Sequence, residues 1–343
     1  MKKKILMRIL VVVLIISIPL GLLACGKTDK SDSETATKDA KEDVEKETVD
    51  EEKKDEKTEE DEDIVIGFSN LTLKNEFMVA LQDGIEDKCK ELDVKLIAVN
   101  PELDAETQIQ QIESFISQEV DAIIIDPVDS NASAPAVEKA KDAGIPIVCV
   151  NSITDAEPDA FVGSNDEEAA EIAINYLAER LDEKGNIFMI HGNPGQSAEV
   201  KRSDGAYKTL ENYPNMELKA EDYSEQWSRE DAMKLTENWL QAFGDDVDGI
   251  FSHNDDMAMG SLLALENAGV KEKVVLIGVD ANPEALQAVK DGRLDATVFQ
   301  DAYGQGQGSV EVAVKLVKGE VVEEQGFIPF QLVTIENVED YIK

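Results

Sequence analysis

Short apolar runs alternate along this chain with stretches in which apolar residues recur every three or four positions. The first run, Ile64-Val65-Ile66-Gly67-Phe68, suits a buried parallel strand. Phe77, Leu81, Ile85 and Cys89 then follow at helical spacing. A strand is expected at 94–99, and a helix at 108–116 with Ile109, Ile112 and Ile116 on one face. The run 122–126 reads as a strand ended by Pro127, and 136–143 as a helix capped by Gly144. The next strand is 145–150. After Asp159 the alternation restarts, with strands at 160–163, 186–190, 216–220, 249–252, 274–279 and 296–299. Between and after them, helices are expected at 167–181, 197–210, 229–243, 257–268, 283–290 and near 310–317. Regular strand–helix alternation predicts parallel sheets covered on both faces, hence an α/β fold. Two runs of it, over residues 64–343, exceed the usual size of a single core and predict two doubly wound lobes.

Residues 1–63 have a different texture. Lys2, Lys3, Lys4 and Arg8 precede an apolar run at 9–20 and then Leu22-Leu23-Ala24-Cys25. A basic region, an apolar region and small residues before a break describe an export signal, here 1–24. The run is short for a spanning helix of ~20 residues. A cysteine directly after Leu-Leu-Ala resembles the lipobox of bacterial lipoproteins, which implies cleavage before Cys25 and lipid on the new N-terminus. Residues 25–63 are rich in Glu, Asp, Lys, Thr and Ser, with only Val44 and Val49 as branched aliphatics. Such a segment buries too little apolar surface to offset its ordering entropy and reads as a disordered, extended acidic tether. The formal net charge of −40 argues against nucleic acid and anionic membrane surfaces as partners. It suits either a solvated surface or docking on a basic partner. With Cys25 assigned to lipid, Cys89 and Cys149 are expected as separate buried thiols. The two histidines, His191 and His253, have no zinc-site spacing, and no metal or organic cofactor is implied.

Ligands of doubly wound sheets bind beyond the carboxyl ends of the strands. Those positions carry a consistent chemistry here: Asn75 and Phe77, Asn151 and Ser152, Gln196 to Arg202, Trp227, His253 and Asn254, Asp280, and Gln300. Asn and Gln donate and accept, Arg only donates, and an ionised Asp only accepts. A sugar hydroxyl also donates and accepts, so a ring of such groups can pair each hydroxyl twice. Phe77 and Trp227 suit the apolar C–H faces of a sugar ring. Singly, each residue has a plainer use: Asn254 and Asp280 as helix caps, Trp227 as core, Arg202 in a surface ion pair. Their shared location at strand ends points to a ligand.

At these residues the chain resembles the sugar-binding proteins of bacterial ABC importers, in the ribose and galactose/glucose-binding group with the type I periplasmic binding protein fold. The resemblance runs from about Ile64 to Gln331. It is carried by Asp126-Pro127-Val128-Asp129-Ser130, Ala143-Gly144-Ile145-Pro146-Ile147, Gly195-Gln196-Ser197-Ala198 with Arg202, Asn254-Asp255-Asp256-Met257-Ala258-Met259-Gly260 and Ile277-Gly278-Val279-Asp280. It implies that Asn75 and Phe77 match the first-loop asparagine and aromatic, and that Met78 replaces a second aromatic. It likewise implies binding roles for Arg202, Trp227, Asn254, Asp280 and the hinge-side Gln300. Asn151 and Ser152 stand where ribose binders have Asp and Arg, which speaks against ribose. Gln196 and Ala198 stand where galactose/glucose binders have His and Asp, and that subgroup's calcium loop is not evident near 182–186. A neutral polyol site is left, with myo-inositol, a pentose or a deoxyhexose open.

The expected organisation is one lobe of 64–163 plus 301–329, a second of 164–300 plus 330–343, and a three-segment hinge. The expected function is an extracytoplasmic lipoprotein, on the outer face of the cell membrane as in a Gram-positive bacterium. It would be a monomer that captures a monosaccharide or polyol and delivers it to an ABC permease and its ATPase. A receptor for sugar or autoinducer sensing through a membrane sensor shares the same fold and pocket. An enzyme is not indicated: residues 192–197 lack a nucleophile pattern, and Gly304-Gln305-Gly306-Gln307-Gly308 lacks the Lys-Ser/Thr of a phosphate loop and reads as a flexible start to a helix. The export signal and the lack of a basic head exclude a LacI-type repressor with the same core.

Overall fold

A computed structural model describes residues 63–342, so the leader, Cys25 and the tether to residue 62 lie outside the described residues. The apolar runs form two six-stranded sheets. In the first, β1 (Val65–Ser69), β2 (Lys95–Val99), β3 (Ala122–Ile125), β4 (Ile147–Val150), β5 (Ala160–Gly163) and β11 (Gln325–Phe327) lie in the order β11-β5-β4-β3-β1-β2, all parallel. In the second, β6 (Lys184–His191), β7 (Asn215–Tyr223), β8 (Gly249–Ser252), β9 (Val275–Asp280), β10 (Ala296–Phe299) and β12 (Gln331–Thr334) lie in the order β12-β10-β9-β8-β6-β7. β3, β4 and β8 are buried along their whole length, as strands covered on both faces must be.

Each sheet is sandwiched between two apolar clusters. Ile66, Phe68, Ile124 and Val148 pack on one face of the first sheet with α1 (Glu76–Glu91) and α9 (Ala302–Val317). Ile123, Ile125 and Ile147 pack on the other with α2 (Ala105–Ser117) and α3 (Ala134–Asp142). In the second sheet, Ile250 and Leu276 face the side of α6 (Arg229–Phe243), α7 (Asp255–Ala268) and α8 (Pro283–Lys290). Phe251 and Ile277 face α4 (Asp166–Arg180) and α5 (Ser197–Leu210). The chain passes from one sheet to the other after β5, after β10 and between β11 and β12.

Three features depart from the sequence reading. β11 and β12 are not among the expected strands; each is only three or four residues long and is an edge strand, defined by its partner. β12 runs antiparallel to β10, so the second sheet is not wholly parallel. The glycine run 304–308 is not a flexible start but lies inside α9, which begins at Ala302 with Asp301 as its cap. The glycines permit close packing: a Cβ at Gly306 would strike the Leu81 carbonyl of α1, and one at Gly84 the Tyr303 carbonyl of α9.

Cys89 and Cys149 are both free and buried, as expected of separate thiols. Burial pushes the Cys89 thiol up to about 11 and that of Cys149 to about 12, so neither is a nucleophile near neutral pH.

Candidate functional site

The carboxyl ends of the two sheets face each other across a small, partly open cavity. From the first sheet's side it is lined by Leu71, Asn75, Phe77, Met78 and Asn151. From the other side come Gln196, Ala198, Arg202, Trp227, Asn254, Asp280 and Gln300. Ten of the eleven residues singled out in the sequence therefore meet in one place. The exception is Ser152, which does not line the cavity. It is fully buried beside it, where its Oγ accepts from Gln196 Nε2 at 3.0 Å.

Local chain geometry aims these side chains. Asn75 and Asn254 are the N-caps of α1 and α7, their Oδ1 atoms accepting from Met78 N at 3.1 Å and Met257 N at 3.0 Å. The capping role and the lining role coexist, because capping consumes only one face of the oxygen and leaves each side-chain NH₂ for a ligand. Asn151, Trp227 and Asp280 all have positive φ, at 61°, 56° and 127°. Such backbone is costly for residues with a side chain, least so for Asn, and persists only where the surroundings hold it. Here it turns three lining residues into the cavity.

A buried chain of polar contacts runs behind the lining. Asn151 Nδ2 donates to the Asp126 carboxylate at 3.2 Å, and Asn151 Oδ1 accepts from Gln300 Nε2 at 3.1 Å. Gln300 Oε1 in turn accepts from Arg202 Nη2 at 2.8 Å. Arg202 Nε donates to Asp166 Oδ1 at 2.9 Å, and Nη1 donates to the His253 carbonyl. Arg202 is only 3% exposed, so it is a buried ion pair and not a surface one. Even with these contacts, at least one of its five N–H groups is uncommitted. Its guanidinium lies 5.8 Å from the Trp227 ring centroid. Trp227 Nε1 donates to Gln196 Oε1 at 2.8 Å, and the ring lies where a Cβ on Gly192 would be.

The electrostatics suit a neutral ligand. Burial raises the Asp280 carboxyl well above the usual range, and the neighbouring Asp255 carboxylate adds to this, against the pull of Arg202. Burial raises Asp126 and Asp166 as well, with Asn151 opposing at the first and Arg202 at the second. The Arg202 charge is matched by Asp166, so no net charge is offered to an anionic or cationic ligand. The two sides also touch at the rim. Ser130 N donates to the Gly195 carbonyl and Ile153 N to Ser197 Oγ, each at 2.9 Å.

Leu71 and Ala198 line the cavity without having been singled out as binding residues, and Asp126, Asp166 and His253 support it from behind. Asp126 had a signal, since it ends β3. Asp166 had none, because an acidic residue opening a helix is ordinary.

A cavity closed between two doubly wound sheets, at the carboxyl ends of both, defines a two-lobed ligand-binding protein. The periplasmic binding protein domain matches residues 66–321, and the chain belongs to that family. It is 38% identical over 285 residues to a Rhizobium meliloti protein assigned to rhizopine binding, covering 80% of this chain and 92% of that one. It is 33% identical over 273 residues to the ribose import binding protein of Bacillus subtilis, covering 79% and 88%. The crystal structure of an ABC transporter solute-binding protein of Bacillus halodurans C-125 with bound myo-inositol superposes with a TM-score of 0.78. That protein is 39% identical, with 81% of this chain and 97% of that chain covered. These relatives are solute-binding proteins and not enzymes.

Proposed function

We propose that this chain is an extracytoplasmic lipoprotein that captures a neutral cyclic polyol, with myo-inositol the first candidate, and delivers it to an ABC permease. The observation that carries this is the lining of the cavity between the two sheets. Planar amides, one guanidinium and one carboxyl line it with Phe77 and Trp227. Every lining polar group can pair with a hydroxyl, and the aromatics suit ring C–H faces. The likeness to the myo-inositol-bound protein and to the rhizopine and ribose proteins supports the class of ligand. Departure from the ribose pattern at Asn151 and Ser152 favours a six-membered polyol over ribose.

Binding would work by population shift, since only the closed arrangement presents both linings at once. Leu22-Leu23-Ala24-Cys25 supports a lipid anchor at Cys25, and the acidic segment 25–63 supplies reach to a membrane partner. The division into lobes of 64–163 plus 301–329 and 164–300 plus 330–343, working as a monomer, belongs to the same proposal.

The test is a thermal-shift and calorimetric screen of residues 26–343 against inositols, pentoses, hexoses, pentitols, nucleosides and peptides. A ligand at a hundredfold excess over its Kd raises stability by about 2.7 kcal/mol. Myo-inositol or a close stereoisomer should give the largest shift. A nucleoside or peptide response with no polyol response would overturn the reading.

A further inference from the structure

Behind the cavity, three side chains from separate elements of the second sheet's layer converge. His191 ends β6, Glu199 lies in the first turn of α5, and His253 follows β8. One ligand atom from each lies within 4.8 Å of the other two. All three residues are buried, the most exposed at 3%. His191 Nδ1 is 3.2 Å from Glu199 Oε1 and 2.8 Å from Ser203 Oγ, and His191 Nε2 is 3.1 Å from Glu221 Oε2. The two imidazole rings are 4.9 Å apart, centroid to centroid. Among the described residues, neither ring nitrogen of His253 has a hydrogen-bond partner, although both are buried.

A proton does not resolve this arrangement. An imidazolium at His191 would satisfy Glu199 through Nδ1 and Glu221 through Nε2, yet His253 would keep two unpaired nitrogens in the interior. Buried polar groups are almost always paired, so an unpartnered buried ring with one nitrogen close to His191 and Glu199 calls for a partner there. A cation with affinity for imidazole nitrogen and carboxylate oxygen would give one His253 nitrogen a partner and engage His191 and Glu199 at the same point.

We propose that His191, Glu199 and His253 form a site for a divalent transition metal, zinc foremost. Two imidazoles and one carboxylate are a donor set that zinc accepts, with water completing a tetrahedron. Calcium and magnesium want six or more oxygens and are poorly served. Glu221 then takes the supporting part usual for a metal-bound imidazole. It accepts from Nε2–H of His191, which fixes the tautomer and leaves Nδ1 as the ligating nitrogen. Zinc at ~2.0–2.1 Å from each donor draws the three atoms together. The His253 ring can turn to meet it because no hydrogen bond holds it. Glu221 is half-exposed and offers the route in. The sequence shows no zinc spacing because the three donors come from three elements.

The site sits directly behind the ligand cavity. The His253 carbonyl accepts from Arg202, Asn254 is the next residue, and Ser203 follows Arg202. A bound metal would stiffen the backbone that carries two lining residues.

The experiment is titration of chelator-treated full-length mature protein with cobalt(II) and then zinc(II), with no sugar present. One equivalent of cobalt should bind with the intense visible bands of a tetrahedral site and be displaced by zinc, which should also raise Tm. His253→Phe and Glu199→Gln should each weaken binding at least a hundredfold, and Cys149→Ser should leave it unchanged. X-ray absorption of the zinc-loaded wild type should show imidazole and oxygen donors without sulfur, a readout that needs no variant to fold. Absence of stoichiometric cobalt binding, undiminished binding in a folded His253→Phe protein, or sulfur in the zinc shell would each overturn the site. All these readouts are independent of which solute the cavity takes.

Discussion

The side-chain amide of Gln300 donates from Nε2 to Oδ1 of Asn151 at 3.1 Å, joining a crossing between the sheets to the end of β4. The other end of the same amide accepts from Arg202, so Gln300 is oriented by partners on both sides. Gln300→Leu keeps the shape and removes both bonds, leaving a buried Asn oxygen and a buried guanidinium N–H unpaired. Stability should fall by about 1–3 kcal/mol. Solute affinity should fall at least tenfold, because Asn151 and Arg202 both lose their positioning. Denaturant unfolding and calorimetry check the two effects; unchanged affinity would show that the relay does not prepare the cavity.

Asp166 offsets the buried charge of Arg202. Asp166→Leu strands that charge and should cost about 3–5 kcal/mol. Adding Arg202→Met should recover part of the loss while abolishing solute binding, since the pair is removed together. A double variant no more stable than Asp166→Leu alone would argue that the ion pair is not what Asp166 supplies.

Asp255 sets a pH dependence. Burial raises its carboxyl to about 7, against hydrogen bonds from Thr297 and the Asn282 amide. An acid with a raised folded pKa holds its proton in the native state while the unfolded chain has lost it. The native state therefore binds more protons between about pH 4 and pH 7, and stability declines as pH rises through that window. Asp280 acts in the same direction. Asp255→Asn should flatten the decline in a pH series of denaturant midpoints, though it also exchanges one acceptor oxygen for an NH₂.

The contact between α1 and α9 depends on missing side chains. Gly306→Ala drives a Cβ into the Leu81 carbonyl and should destabilise by about 1–3 kcal/mol, as overpacking does. Gly308→Ala meets only a Val162 methyl at 3.2 Å and should cost less, because the methyl can move and alanine favours the helix. Equal effects would mean that helix propensity, not close packing, governs these positions.

Gln196 is a buried lining residue that reaches both ways, donating to Ser152 and accepting from Trp227. Gln196→Ala leaves the Trp227 indole N–H unpaired in the interior and should cost about 1–3 kcal/mol, and it should speed solute release, read as a faster dissociation rate in stopped flow with little change in association. A variant that loses stability and keeps the same release rate would place Gln196 in folding and not in closure.

Much of this was legible in the chain itself, for physical reasons. Strands buried on both faces must be apolar throughout, and helices on a sheet must carry a stripe, so ten strands and nine helices show in the pattern. Ligands of such sheets bind at strand ends, so Asn75, Asn151, Asn254 and Asp280 could be found by position. β11 and β12 could not, because each is only three or four residues long and its pairing comes from distant residues. Ser152 does not line the cavity because adjacency to Asn151 does not set direction: Asn151 turns inward through positive φ, and Ser152 faces Gln196 instead. The partners that hold the lining, Asp126 with Asn151 and Asp166 with Arg202, are 25 and 36 positions apart and carry no local signature. Nor could spacing have joined His191 to His253. The sequence by itself determined the layers and which strand ends carry polar chemistry, because burial and periodicity are local properties. Only the tertiary structure decided which of those groups face one cavity and which buried groups stand behind them, because that depends on how two separate sheets meet.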